Sequence, residues 1–221
     1  MINNEIIKHL SNFVTKQRLE KFNKILLNRT NYVTVVLEDI FQSHNASAVL
    51  RTCDCFGVQN VFVIENRNEF KPNNEISLGA SKWLNINSQI ENKDTKSVII
   101  NLKNNGYRIV AATPQNNTTM LNDLNLTKGK IALLFGTELS GLTDEAISLA
   151  DEFVKIPMYG FTESFNISVS VAVFLSNIIE RLKKSDISWQ LSDNEKNFVL
   201  LEWLKNSIKS SDEIIERFYK K

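Results

Sequence analysis

The sequence predicts an α/β fold, a mostly parallel sheet with helices on both faces, and three observations carry that prediction. Short β-branched apolar runs alternate with stretches of helical periodicity between Tyr32 and Lys184. The runs are apolar on consecutive positions, as expected of strands covered on both faces. Glycine or a capping residue marks many of the boundaries. At 221 residues, 43% hydrophobic and 23% charged, the chain is long enough for a sizeable core and is not a highly charged disordered protein. No repeat of fixed period is present.

From Asn4 to Leu27, apolar residues including Ile6, Ile7, Leu10, Phe13, Leu19, Phe22 and Leu26 recur at helical spacing, predicting a helical amino-terminal arm over 1–30. Tyr32-Val-Thr-Val-Val-Leu37 is the first buried strand, and a helix follows from about Asn45 to Phe56 with Gly57 as its stop signal. Val61-Phe-Val-Ile64 completes a βαβ unit. A helix from about Asp94 to Asn104 leads to the strand Tyr107–Ala112, and Lys130–Phe135 is a further buried strand. Thr143 is an N-cap for a helix through Leu149, Glu152–Ile156 is the last strand, and a long helix runs from about Asn166 to Leu182. The main domain therefore spans 31–184, with a helical extension over 185–221. In that extension Ser192 and Glu195 form a capping box, and Phe198, Leu201 and Leu204, with Trp203 beside them, are expected to dock on the core.

Composition removes several classes of function. The only histidines are His9 and His44, which argues against a His-centred metal site or a Ser-His-Asp triad, and no metal is expected. Cys53 and Cys55 are too few for a disulfide framework and read as small apolar groups on the first core helix. There is no glycine-rich dinucleotide loop and no Walker-type loop. No stretch approaches the ~20 apolar residues of a membrane span, and Met1–Leu10 carries Asn, Glu and Lys where a signal peptide is apolar, so a cytoplasmic protein is expected. The formal net charge of +1 conceals an asymmetry: residues 1–30 hold six basic and two acidic side chains, whereas residues 31–179 hold 11 basic and 15 acidic.

Three polar segments follow predicted strands, where open α/β sheets place ligands. The first is Gln42-Ser-His-Asn45, leading to Arg51-Thr52; the bland reading is an N-cap Asn and a surface Arg. In the second, Leu134–Leu142, Gly136 lets a ligand approach the backbone and Glu138 stands beyond an apolar strand. The third, Ile156–Ser168, carries Ser164 and Asn166 at a helix entrance, where N-cap duty is the alternative.

Taken together, Asn45-x-x-x-x-x-Arg51-Thr52, the Phe135-Gly-Thr-Glu138 block and Ile156-Pro-Met…Ser164-Phe-Asn-Ile-Ser168 resemble the motifs of the SpoU/TrmH family of RNA ribose 2′-O-methyltransferases, in the SPOUT superfamily. The resemblance is strong over Tyr32–Lys184 and weaker over the terminal segments, as in the family's bacterial tRNA guanosine-18 methyltransferases. It implies an S-adenosylmethionine-dependent homodimer whose α/β domain ends in a trefoil knot, a topology that general rules treat as an exception. The implied substrate is a ribose in tRNA, the D-loop guanosine. By similarity, Asn45, Arg51, Glu138, Ser164 and Asn166 match the family's residues for catalysis and active-site assembly. The cofactor is expected against Thr113, the backbone around Leu134, Gly136 and Thr137, then Ile156 to Met158, and Phe165. Where the family signature more often reads Val-Gln-Ser-Leu-Asn, this chain has Thr162-Glu163-Ser164-Phe165-Asn166, which adds a negative charge and a larger side chain. Under the same resemblance Lys16, Arg18, Lys21 and Arg29, with Arg51, become candidates for RNA phosphates; a solvated amphipathic helix is the alternative for the arm.

Other functions compete with this one. A ribosomal RNA 2′-O-methyltransferase is the near alternative, although such family members often carry a separate amino-terminal RNA-binding domain. A non-catalytic RNA-binding protein retaining the fold is the alternative from another class, and a plain nucleotide-binding α/β protein is the third.

Overall fold

A computed structural model describes residues 4–71, 73, 77–86, 92–114 and 118–220. The chain divides into two compact units, one of residues 31–189 and one assembled from residues 1–30 and 190–221.

The larger unit is built on a seven-stranded sheet in the order β3-β2-β1-β6-β4-β7-β5. Its strands are β1 (Val33–Glu38), β2 (Asn60–Ile64), β3 (Asn85–Ile86), β4 (Arg108–Ala112), β5 (Thr119–Met120), β6 (Ile131–Phe135) and β7 (Glu152–Lys155). Every pairing is parallel. The five longer strands lie where the apolar runs predict them. The edge strands β3 and β5 were not expected, because two residues are too few to show a period.

Alternation along β1 separates the two faces. Val33, Val35 and Leu37 pack with residues of α3 (Ser43–Phe56) and the long carboxyl-terminal helix of this unit. Val36 packs on the opposite face with Val98, Ile99 and Leu102 of α4 (Thr95–Asn104) and Ala146 of α5 (Asp144–Leu149). That long helix is α6 (Ile167–Lys183), whose Val171, Phe174, Leu175 and Ile178 are buried. Gly57 ends α3 in the left-handed region at φ 77°, a conformation that favours glycine, and its N–H returns to the carbonyls of Cys53 and Asp54. Cys53 is buried as expected. Cys55 is exposed, because two positions along a helix turn a side chain to the other side.

A buried acid ties the sheet to both helices of the second face. Glu38, 1% exposed at the carboxyl end of β1, accepts from the Thr95 hydroxyl at 2.7 Å, the Thr143 hydroxyl at 2.8 Å and the Thr143 N–H at 2.9 Å. Thr143 is itself the N-cap of α5 and accepts from the N–H of Ala146. The next residue, Asp39, takes a left-handed backbone at φ 54°, and its Oδ1 accepts from the N–H groups of Asn66 and Arg67 at 2.8 and 2.9 Å.

The smaller unit contains α1 (Asn4–Ser11), α2 (Lys16–Leu26), α7 (Asp193–Ser207) and α8 (Ser211–Tyr219). The amino-terminal arm is helical, in two pieces. Thr15 interrupts it by capping α2, its side chain accepting from the N–H of Arg18. Ser192 and Glu195 form the expected capping box with both hydrogen bonds present. The buried face of α7 is Val199, Leu200, Trp203 and Leu204, and α7 packs on α1 and α2. The expected apolar face through Phe198 and Leu201 is rotated: Phe198 is exposed and Leu201 half-buried. The covering surface comes from Ile6, Ile7, Leu10, Phe22 and Leu26, with the Phe22 and Trp203 rings 5.5 Å apart.

Arg29 departs from the expected phosphate contact. It is 2% exposed, with its guanidinium 5.2 Å from the centre of the Trp203 ring, so it packs inside the unit as a cation–π partner. Lys16, Arg18 and Lys21 remain exposed. Among the described residues no helix is long and apolar enough to cross a membrane, and no cluster of His, Cys, Asp and Glu suits a metal ion.

Replacing Glu38 with Ala leaves two hydroxyls and an N–H without their acceptor, and about 3 kcal/mol of stability is expected to be lost. Glu38→Gln should fall between the two, since one of its two terminal atoms donates rather than accepts. Urea unfolding of the three proteins checks this; equal midpoints for the parent and Glu38→Ala would refute it.

Candidate active site

Parallel strands deliver their carboxyl ends to one edge of the sheet, so the segments after β1, β6 and β7 can meet although they are far apart in sequence. After β1 the left-handed turn at Asp39 leads to α3, with Gln42 as N-cap and Asn45 in the first turn, 8% exposed. After β6 the chain folds into a tight hairpin. Thr137 and Gly141 exchange both backbone hydrogen bonds at 3.0 Å, and the Thr137 and Ser140 hydroxyls lie 2.7 Å apart. A Cβ at Gly136 would stand 2.2 Å from the carbonyl carbon of Gly141, so only glycine fits this crossing. The close approach expected of Gly136 is therefore met by the chain's own backbone. Glu138 sits in the hairpin. After β7, residues 156–166 lead to Asn166, the N-cap of α6, whose Oδ1 accepts from the Ser168 N–H at 2.9 Å and its hydroxyl at 2.6 Å.

Three of the five residues singled out in the sequence converge. Glu138 Oε1 accepts from Asn45 Nδ2 at 3.1 Å and Asn166 Nδ2 at 2.6 Å, with the Ile167 N–H at 3.5 Å. Asn166 Nδ2 also donates to Asn45 Oδ1 at 3.0 Å, and Asn45 Nδ2 donates a second bond to Gln42 Oε1 at 3.1 Å. The N-cap alternative for Asn166 is thus true as well: its oxygen caps the helix while its NH2 group serves the network.

Arg51 and Ser164 stand outside this network. Arg51 is six positions along α3 from Asn45, is exposed, and has no ion-pair or hydrogen-bond partner among the described residues. Ser164 is exposed on the segment before α6.

The positions expected to hold the cofactor gather at neighbouring strand ends, since Ala111 of β4 pairs with Leu134 of β6 and Ala112 pairs with Val154 of β7. Their contributions differ. The Leu134 side chain is buried in the core with α4, so only its backbone can face a ligand. The Thr113 N–H donates to the Val154 carbonyl at 3.1 Å, and the Thr137 N–H is engaged by Gly141. Ile156 and Met158 are half-buried and Phe165 is 42% exposed, leaving apolar surface beside the strand ends. That surface, with nearby backbone polar groups, suits an adenosine moiety.

Two members of the network were not singled out in the sequence, Gln42 and Ser168. Their signals are local: Gln42 lies three residues before Asn45, and Ser168 two residues after Asn166, an Asx-turn spacing.

Comparison with known proteins agrees with this architecture. The sequence model of the SpoU rRNA Methylase family matches residues 32–176. A tRNA (guanosine(18)-2′-O)-methyltransferase of Borreliella burgdorferi is 44% identical over 201 residues, 91% of this chain and 90% of that protein. The crystal structure of the A. aeolicus TrmH/SpoU tRNA modifying enzyme superposes with a TM-score of 0.77 at 29% identity, covering 88% of this chain and 98% of that one. The fold also matches the SpoU methyltransferase AviRb from Streptomyces viridochromogenes, solved in complex with AdoMet, with a TM-score of 0.61 at 17% identity over 73% of this chain and 65% of that one. With more than half of its length under the family model and a close relative across nine-tenths of it, this chain belongs to the SpoU rRNA Methylase family.

Proposed function

We propose that this chain uses S-adenosylmethionine to methylate a ribose 2′-hydroxyl in tRNA, at the D-loop guanosine named in its 44% identical relative. The observation that carries the reading is the junction of Asn45, Glu138 and Asn166, three family-motif positions joined by direct hydrogen bonds at the carboxyl edge of the sheet. Thr113, the backbone of Leu134, Gly136 and Thr137, and the side chains of Ile156, Met158 and Phe165 would hold the cofactor. Bound there, it would supply a methyl group on a sulfonium for transfer to the ribose oxygen, with a neutral thioether as the leaving group.

The chain's own task is to bring the 2′-oxygen into line and to manage its proton, and positioning of this kind can contribute about 7–11 kcal/mol. Asn45, Glu138 and Asn166 provide a rigid polar floor, with Ser164 on the segment leading to it. Arg51 is assigned the substrate phosphate and the negative charge developing on the ribose oxygen. Its exposure and its lack of a partner among the described residues suit an external anion. A guanidinium with a pKa above about 12 is a poor proton acceptor, so the proton passes to the phosphate or to water rather than to Arg51.

Further features belong to the same reading. The chain works as a homodimer in the cytoplasm, with the segment around β7 and α6 drawn into the family's trefoil knot. Supporting the dimer is a groove between α3 and α6 lined by Ala48, Phe56, Val169, Ala172 and Val173, of which Val169 and Val173 are exposed. Within the smaller unit, Lys16, Arg18 and Lys21 offer exposed charge for RNA phosphates.

Incubating the protein with methyl-labelled cofactor and total RNA, then mapping the labelled nucleotide, tests the reading directly. Label at the D-loop guanosine of tRNA is expected; label in ribosomal RNA alone would move the substrate, and no label with either RNA would refute the activity. Arg51→Ala is expected to lower kcat by at least about 100-fold and Arg51→Lys by about tenfold, because an ammonium keeps the charge but not the bidentate fork. Near-normal turnover in Arg51→Ala would remove Arg51 from the chemistry. Neutralising Arg18 and Lys21 should weaken tRNA binding at low salt and flatten its salt dependence by roughly two phosphate contacts while leaving cofactor affinity unchanged. An unaltered salt slope would count against the arm.

A further inference from the structure

We infer that Gln42 is a positioning residue for this site, holding the Asn45 amide in the orientation that Glu138 and Asn166 require. The inference rests on the proposed methyl transfer for its consequence in rate, and on geometry alone for the contact itself.

Gln42 occupies the N-cap of α3, where Ser, Thr, Asp and Asn are favoured because their short side chains reach the first-turn N–H groups. Gln42 makes no such bond. Its side-chain carbonyl instead accepts from Asn45 Nδ2 at 3.1 Å, an i,i+3 contact on the same helix turn. Capping therefore does not account for this side chain, and the contact with Asn45 does.

The need for that contact follows from counting donors. The Asn45 amide has two N–H groups and one oxygen, and its residue is buried. One N–H meets Glu138 Oε1 and the oxygen meets Asn166 Nδ2, so the second N–H needs an acceptor, which Gln42 supplies. Were the Asn45 amide reversed, its oxygen would face the carboxylate and the Gln42 carbonyl, and its NH2 would face another NH2. At the other end Ser168 fixes Asn166 by donating two hydrogen bonds to its oxygen. Gln42 and Ser168 thus close the network from opposite sides. Water replacing Gln42 could satisfy the N–H but would not hold its direction.

Two substitutions in the 221-residue chain separate this role from a merely structural one. Gln42→Met keeps the length of the side chain without its acceptor; it is expected to lower kcat about tenfold while KM for S-adenosylmethionine stays within about twofold. Gln42→Glu restores an acceptor and should recover kcat to within about threefold of the parent. A second measurement needs neither RNA nor cofactor: hydrogen exchange of the Asn45 side-chain amide followed by NMR. Both amide protons should be protected in the parent and in Gln42→Glu, and one should lose protection in Gln42→Met. Unchanged kcat in Gln42→Met, a Gln42→Glu variant as slow as Gln42→Met, or unchanged Asn45 protection would each overturn the role. A parent that methylates no RNA would refute the proposed activity instead, and the exchange measurement would still decide the contact.

Discussion

The carboxylate of Glu138 can only accept, and the side-chain groups directed at its Oε1 are the NH2 groups of Asn45 and Asn166. Each of those amides can turn its nitrogen inward because its oxygen is engaged elsewhere, that of Asn45 by Asn166 and that of Asn166 by Ser168. The site therefore has a direction, running from the first turn of α6 through the two amides to the carboxylate and to Gln42. Such a chain of oriented dipoles forms only if the ends of β1, β6 and β7 open on one edge of the sheet. Parallel pairing of β1 with β6, of β6 with β4 and of β4 with β7 provides that edge. The hairpin crossing at Gly136 then brings Glu138 into place, and Glu38 anchors the far end of the same loop through Thr143.

Much of this architecture was legible in the sequence, for a physical reason. Strands covered on both faces admit polar residues only where these find hydrogen-bond partners, as Thr34 and Glu38 do, so β1 and β6 announce themselves as mostly apolar runs. Two-residue edge strands carry no such constraint, and β3 and β5 left no trace. In the residue pattern itself the convergence of Asn45, Glu138 and Asn166 is legible only as three polar segments beyond strands, and it is the family resemblance that picks out the three positions. Their partners lie 93 and 121 positions away, where no local period reaches. Arg29 shows the converse limit: a basic residue within a basic stretch reads as surface, and the Trp203 ring that covers it arrives near the end of the chain. The phase of α7 is hidden for a related cause, since its buried residues pack on α1 and α2 from the far end of the sequence.

Charge follows the division into units. Residues 190–221 carry six basic and six acidic side chains, so the positive excess of the smaller unit comes entirely from its amino-terminal segment. With Arg29 inside, the exposed part of that excess sits on α2, since Glu5 and Lys8 of α1 cancel, and the larger unit around the polar network is acidic on balance. An electrostatic footprint of this kind attracts a polyanion without the high overall charge that usually marks nucleic-acid binders.

The smaller unit joins the two ends of the chain, and this has a consequence for biosynthesis. Ile6, Ile7, Leu10, Phe22 and Leu26 leave the ribosome long before Val199, Leu200, Trp203 and Leu204, the surfaces that cover them. Throughout synthesis of the sheet, the amphipathic α1 and α2 are unshielded, and closing so long a loop is slow compared with local helix formation. Chaperone capture and early aggregation would concentrate on residues 1–30, and a chain truncated before α7 would leave their apolar faces uncovered.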